Sequence, residues 1–132
     1  MLNREARLHS VTGGVRLWLR LEGLAVLLLA VFLYARLDAS WLLFAILFLA
    51  PDLSFAAYAA GPRIGAGVYN ALHSYVGPAL LTLALLLAGQ SLAVPLIWTA
   101  HVGADRALGY GLKYPTSFGD THLGRIGRGP PG

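Results

Sequence analysis

Cysteine is absent from the 132-residue chain and methionine occurs once. Neither a disulfide framework nor a thiolate metal site can form, which leaves His, Asp, Glu and Asn as side-chain metal ligands. Charge is also scarce. Charged residues are 12% of the chain and hydrophobic ones 57%, whereas a soluble domain carries roughly 25% charged residues. With a mean hydropathy of +0.64, the chain reads as one membrane-embedded domain. Missing too are a nucleophile elbow, a phosphate loop, a dinucleotide fingerprint and any internal repeat. The net charge of +4 and pI near 9.9 would suit nucleic acid only if a basic patch lay on a solvated face. Instead the basic residues sit at the two ends and between apolar segments, so their role is topological and no nucleic-acid partner is expected. Sixteen residues precede the first apolar run and no convincing small-residue cleavage site follows it, so the start is not expected to be a cleavable signal.

What is abundant is apolar sequence in lengths that suit a bilayer, about 20 residues per helix. The segments Leu17 to Leu37, Trp41 to Ala60, Ile64 to Ala88 and Leu92 to Leu108 are the expected spans. Turn signals separate them at Arg36-Leu37-Asp38-Ala39-Ser40, Gly61-Pro62-Arg63 and Gly89-Gln90-Ser91. The predicted fold is therefore all-α, an integral membrane bundle of four antiparallel transmembrane helices. Residues 1–16 form an N-terminal segment, 17–113 the transmembrane domain and 114–132 a Gly- and Pro-rich tail. Arg4, Arg7, Arg16 and Arg20 precede the first span, Arg63 divides the second from the third, and Lys113, Arg125 and Arg128 follow the fourth. Only Arg36 falls on the other side. The positive-inside tendency then puts both termini in the cytoplasm, in a multi-pass protein of the cell inner membrane.

Ionisable residues inside such spans are costly and face the bundle interior or a water-filled cavity. Asp52, His73, His101 and Asp105 are of this kind, with Asn70, Glu22 and Arg106 nearby. At roughly 1.5 Å of rise per residue, they lie at depths of roughly 12, 14, 11 and 5 Å from the cytoplasmic ends of their spans. His101 and Asp105 share a helix face at i and i+4, and Asn70 and His73 at i and i+3. Two His and two Asp in one layer make a nitrogen and oxygen set suited to a divalent metal: zinc, manganese or iron. Such an ion lowers the pKa of bound water and polarises phosphoryl or carbonyl oxygens. Two other readings stay open. The same residues can serve as interhelical glue in a non-enzymatic scaffold or subunit, and His73 with His101 could ligate a haem from two sides.

The exit of the fourth span, His101 to Tyr114, is dense in polar residues and glycine. Arg106 and Lys113 are expected at headgroup level, where they could hold a phosphate. Asp120-Thr121-His122 could fold back as a lid, although a solvated tail is the plainer reading of His122. Glu22 is expected to pair with Arg20 or Arg63. Trp18, Trp41, Trp98, Tyr34, Tyr110 and Tyr114 are assigned mostly to interfacial belts, and Tyr58, Tyr69 and Tyr75 to the bundle interior.

Several of these blocks resemble a known family. Pro51-Asp52-Leu53, Gly61-Pro62-Arg63-Ile64-Gly65-Ala66 with Tyr69-Asn70 and His73-Ser74, His101 to Tyr114 with its GYGLKY block, and Thr121-His122-Leu123-Gly124 are similar to a bacterial membrane family, domain-of-unknown-function family 4260. The resemblance covers roughly Arg20 to Gly127 and implies a four-helix membrane protein without an assigned activity. The order Pro-Asp, His-Ser, His-x3-Asp is also similar to the membrane-bound metal-dependent hydrolases. That likeness implies Asp52, His73, His101 and Asp105 as metal ligands. Where that group usually carries another His before its His-Ser pair, this chain has Val68, with Asn70 close by. The expected function is that of a metal-dependent hydrolase-like protein, with Asn70 and Arg106 orienting substrate or water. Its partners would be the lipid bilayer and a lipid headgroup or phosphate ligand.

Overall fold

The computed structural model describes residues 11–113, 115 and 120–125. The expected N-terminal segment and tail fall largely outside these residues, as do Arg4, Arg7, Tyr114 and Arg128. Leu-, Ala- and Val-rich sequence makes α1 (Gly13–Ala35), since these side chains give up little freedom or pack well within an apolar helix. The chain then turns through Asp38, whose φ is 56°. Ser40 restarts it as α2 (Trp41–Phe48) by accepting a hydrogen bond at Oγ from Leu43 N at 3.2 Å, the action of an N-cap. Pro51 has no N–H to give to an i−4 carbonyl, and from Ala50 to Ala60 the chain winds as a 3-10 helix. The remaining helices are α3 (Pro62–Leu72), α4 (Val76–Leu87) and α5 (Ala93–Leu108). A small antiparallel hairpin, β1 (Asp120–Thr121) and β2 (Gly124–Arg125), follows.

The molecule is all-α apart from that hairpin, and its polarity is inverted relative to a water-soluble protein. Leu42, Leu53 and Leu87 are 71, 77 and 81% exposed, whereas His73, His101 and Arg106 are 0, 2 and 8% exposed. Apolar surface on this scale needs a lipid or protein partner. Two segments are long and apolar enough to cross a membrane: α1, and α2 continued by the 3-10 helix. A third is formed by α3 and α4 together, bent by 41° at His73-Ser74-Tyr75. The fourth expected span forms a helix at nearly its expected bounds, but it does not qualify as a span by length. α5 has 16 residues, below the roughly 20 that a bilayer core requires, and it is the most enclosed helix rather than another lipid-facing one.

α5 is the element the others share. Its buried residues include Pro95, Ile97, Ala100, His101, Val102, Gly103 and Arg106. α1 lies along it so closely at Gly23 and Gly103 that neither position has room for a side chain. A Cβ on Gly23 would sit 2.8 Å from the Gly103 carbonyl oxygen, and one on Gly103 would sit 2.8 Å from the Gly23 carbonyl oxygen. Small residues at a crossing allow backbone-to-backbone packing, the usual route to tight helix association in lipid. Arg20 adds a polar tie, donating from Nε to the Ala107 carbonyl at 2.9 Å. At the other end Tyr34, Ala93 and Ile97 form a small apolar core with Phe44, Leu47 and Phe48 around it.

The 3-10 helix pairs with α3 through a matched ladder. Three residues per turn put Asp52, Phe55 and Tyr58 on one face, and the four-residue spacing of α3 puts His73, Tyr69 and Gly65 opposite them. Asp52 meets His73 at 3.2 Å, and Phe55 stacks on Tyr69 with ring centroids 5.8 Å apart. Tyr58 lies over Gly65, where a Cβ would collide with its ring. An α-helical 50–60 segment would rotate this register by the third rung.

The bend between α3 and α4 leaves carbonyls without intrahelical donors, which lipid cannot supply. Side chains from α5 take their place. Trp98 Nε1 donates to Leu72 O at 2.7 Å, and Arg106 Nη2 donates to His73 O at 2.5 Å. Trp98 is thus an interior residue, and Tyr34, fully buried with its hydroxyl bonded to the Ser40 carbonyl, is too. Both depart from the expected interfacial belt, because each has a polar atom matched to a backbone carbonyl inside the bundle.

Two consequences are measurable in detergent by thermal unfolding. Gly23→Val and Gly103→Val should each destabilise by about 1–3 kcal/mol or more, the usual cost of overpacking, while Gly14→Ala, with nothing within 4 Å of its added carbon, should leave the midpoint unchanged. Trp98→Phe keeps an aromatic side chain but strips the donor from the bend, and should cost about 1–3 kcal/mol for the stranded Leu72 carbonyl, with the lost indole packing against Gly77 adding to it.

Candidate metal centre

The four expected ligands converge although they come from three different elements. Asp52 stands in the first turn of the 3-10 helix, His73 caps the C-terminus of α3, and His101 and Asp105 lie one turn apart on α5. One candidate donor atom from each residue lies within 4.8 Å of every other. His73 Nε2 is 3.2 Å from Asp52 Oδ1 and 3.6 Å from Asp105 Oδ2. His101 Nε2 is 3.4 Å from Asp52 Oδ1 and 3.5 Å from Asp105 Oδ2. Ligands at ~2.1 Å from a tetrahedral zinc stand about 3.4 Å apart, so all four His–Asp edges have the length that such a polyhedron needs.

Proton placement sharpens the fit. His73 Nδ1 is 3.0 Å from the Tyr69 carbonyl. A carbonyl only accepts, so Nδ1 carries a proton, and Nε2 is left facing two carboxylates, a position that suits either a second proton or a cation. His101 Nε2 is buried and reaches no partner with hydrogen-bond geometry. Among the described residues the donor facing this group is the Tyr69 hydroxyl, 3.4 Å from Asp105 Oδ2. The cluster is therefore rich in acceptors and poor in donors, with two carboxylates as its charge. The backbone-carbonyl bond on His73 is the usual device for orienting a metal-ligating imidazole.

Rings wall the cluster. Phe48 packs edge-on to His101 with centroids 5.2 Å apart, Tyr69 stacks on His73 at 3.7 Å, and the two His rings meet edge to face at 4.9 Å. That direct ring contact leaves no space for a porphyrin between the histidines, so the haem alternative fails on geometry. The open side is Asp52, whose side chain is 39% exposed against 13% for Asp105. An apolar cavity of about 200 Å³ lies beside the cluster, lined by Leu47, Pro51, Leu72, Ile97 and Trp98.

Asn70 and Arg106 lie outside this ligand group. Asn70 is joined to the backbone of Lys113 in both directions, Nδ2 donating to the carbonyl at 2.8 Å and Oδ1 accepting from the amide at 2.6 Å. Arg106 spans the bend, giving Nη2 to the His73 carbonyl and Nη1 to the Tyr110 carbonyl. Lys113, expected among headgroups, is 4% exposed with Nζ 4.7 Å over the Tyr69 ring. Burial lowers its pKa to about 8, against the opposing pull of Asp105. Glu22 forms no ion pair among the described residues, because Arg20 is turned to the end of α5.

The segment 120–125 folds back onto the domain. Thr121 and Leu123 are fully buried, Thr121 is bridged to Lys113, and His122 exchanges two bonds with Leu112, its Nδ1 accepting from Leu112 N at 2.8 Å and its own N donating to Leu112 O at 3.1 Å. His122 is held below its ordinary pKa by burial and then by Arg106. Its half-buried, bonded ring differs from the solvated one expected. Gly23, Gly103, Trp98 and the 3-10 register escaped the sequence reading; the small residues at 23 and 103 were the available signal for the first two.

No curated protein and no solved structure matches the chain, so the likeness to membrane-bound metal-dependent hydrolases gains no support from that side. A family model does match, over residues 16–126, which is most of the chain. On that match the protein belongs to the family described as Domain of unknown function (DUF4260).

Proposed function

We propose that Asp52, His73, His101 and Asp105 hold one divalent cation and that the protein is a metal-dependent hydrolase of phosphate or ester lipids, working at the cytoplasmic leaflet. The observation that carries this reading is the convergence of one donor atom from each of the four residues within 4.8 Å of every other, with His73 Nε2 facing two carboxylates. Either a proton or a cation must sit among these atoms, and the net charge of the two carboxylates suits a divalent ion. Zinc, manganese and iron all accept such a nitrogen and oxygen set. An ion bound there would supply Lewis acidity and a more acidic water.

The chain's own residues do the rest. Asp52 is the exposed edge of the cluster, so water and substrate approach past it. The apolar cavity beside Pro51 and Leu72 receives the hydrocarbon part of a lipid next to the cluster. Arg106 acts on the cluster through the His73 backbone, which it holds in place. Asn70 is assigned a positioning part, fixing the 111–113 segment over the cluster. Four membrane passes with both termini cytoplasmic remain the topology we favour, with α5 as the short fourth pass. Its support is the bond from Val11 N to His122 O at 2.8 Å, which joins the segment before α1 to the hairpin after α5, as an even number of passes requires.

The alternative, a scaffold whose polar cluster only fixes packing, makes a different forecast. It holds the cluster together with a shared proton and carries no metal. Elemental analysis of protein purified without added metal should find about one zinc, manganese or iron per chain, falling to near zero in His101→Ala and Asp52→Ala. Chelation should lower the unfolding free energy of the wild type by about 2.7 kcal/mol for an ion at a hundredfold excess over its Kd, and leave both variants unmoved. Metal-free wild type that unfolds identically with and without chelator would sink the metal reading. Incubation of the loaded protein with phospholipids, followed by mass spectrometry of products, tests hydrolysis separately.

A further inference from the structure

A second cavity, of about 430 Å³, lies apart from the ligand group, between α1, the α3–α4 bend, α5 and the hairpin. Leu19 and Val26 give it an apolar wall, and Glu22, Tyr75, Arg106 and His122 give it polar groups of both signs. Its guanidinium is the unusual feature. Arg106 is 8% exposed, bonds two backbone carbonyls, and has no carboxylate within ion-pair distance among the described residues. A buried cation without a counter-ion is expensive, and at membrane depth such groups mark ligand sites.

The neighbours define what would balance it. His122 Nδ1 accepts from a backbone amide, so the neutral ring keeps its Nε2–H as a donor. Together with Arg106 and the Tyr75 hydroxyl it offers donors to a phosphate. Glu22, on the same cavity and without an ion pair among the described residues, would oppose a purely anionic ligand and favour one that also carries an ammonium group. The apolar wall on α1, a helix whose outer residues are exposed to lipid, suits a hydrocarbon chain continuing from that headgroup.

We propose that this cavity binds the headgroup of a zwitterionic aminophospholipid, with the phosphate on Arg106 and His122, the ammonium on Glu22, and the first part of an acyl chain along Leu19 and Val26. The site does not require a metal. It touches the cluster only through Arg106, which reaches the His73 carbonyl.

Native mass spectrometry of the full chain in detergent tests this with defined lipids. Wild-type protein should retain phosphatidylethanolamine over phosphatidylglycerol by roughly tenfold, the scale of a buried charge contact. Glu22→Gln should bring the two lipids level. Val26→Trp, which fills the apolar wall, should weaken both. Soluble glycerophosphoethanolamine should bind far more weakly than the lipid; equal binding would mean that a free headgroup, not a lipid, is the ligand, and would overturn the proposal. So would equal retention of both lipids by wild type, or a preference that survives Glu22→Gln. Metal content measured on the same samples should be unchanged by Glu22→Gln, so failure here and failure of the metal reading are read separately.

Discussion

A bent helix inside a bilayer exposes carbonyls that water cannot reach, and this molecule is organised around satisfying them. The bend at His73-Ser74-Tyr75 releases the Leu72 and His73 carbonyls, and α5 answers with Trp98 and Arg106. Each of those donors requires α5 to lie within hydrogen-bond reach of the bend. That placement brings His101 and Asp105 to the same depth as His73. The Gly23–Gly103 contact then lets α1 close over the opposite side of α5. The polar cluster and the tight crossing are consequences of one arrangement of α5, which explains why that helix is the most enclosed.

The second requirement is a change of helical pitch. Asp52 can meet His73 from a regular helix, but Phe55 and Tyr58 would not then follow Tyr69 and Gly65 down the interface. Winding 50–60 as a 3-10 helix, unusual at this length, keeps three successive contacts in register with the four-residue spacing of α3. Pro51 makes the change tolerable because it stands in the first turn of the 3-10 helix, where the N–H it lacks has no partner within that helix. The aromatic contacts of the lower two rungs fix the height of Asp52, so the carboxylate reaches His73 from the first turn of the 3-10 helix.

Much of this was legible from residues alone, and the exceptions have physical reasons. Runs of Leu, Ala and Val announce helices of bilayer length, and the residues grouped by depth counting, Asp52, His73, His101 and Asp105, do come within 4.8 Å of one another. The 3-10 register was hidden, since apolar periodicity over Leu53, Phe55 and Tyr58 does not separate a three-residue repeat from 3.6. Trp98 and Tyr34 were placed at the interface by residue type, whereas their positions follow from which carbonyl lacks a donor. That is a three-dimensional property. Asn70 shared a helix face with His73 and still left the cluster, because a backbone segment forty residues away matched both halves of its amide. The hairpin was beyond reach for a related reason: Gly-rich sequence reads as solvated until Leu123 and Thr121 are seen to have somewhere to bury.

The donor and acceptor balance separates glue from a cation site more sharply than burial does. Polar residues that serve only to hold helices together pair donors with acceptors, as Asn70 does with Lys113 and Trp98 with Leu72. Around Asp52, His73, His101 and Asp105 the pairing is lopsided: two carboxylates, one imidazole with its proton committed to Tyr69, and a second imidazole in no well-formed bond. The cavity at Arg106 is lopsided in the other direction, with a buried cation that has no carboxylate within ion-pair distance among the described residues. Packing does not correct either imbalance, since each is bounded by side chains already used to hold the bend. A cation on one side of Arg106 and a phosphate on the other would balance both, and the guanidinium bonded to the His73 carbonyl lies between them.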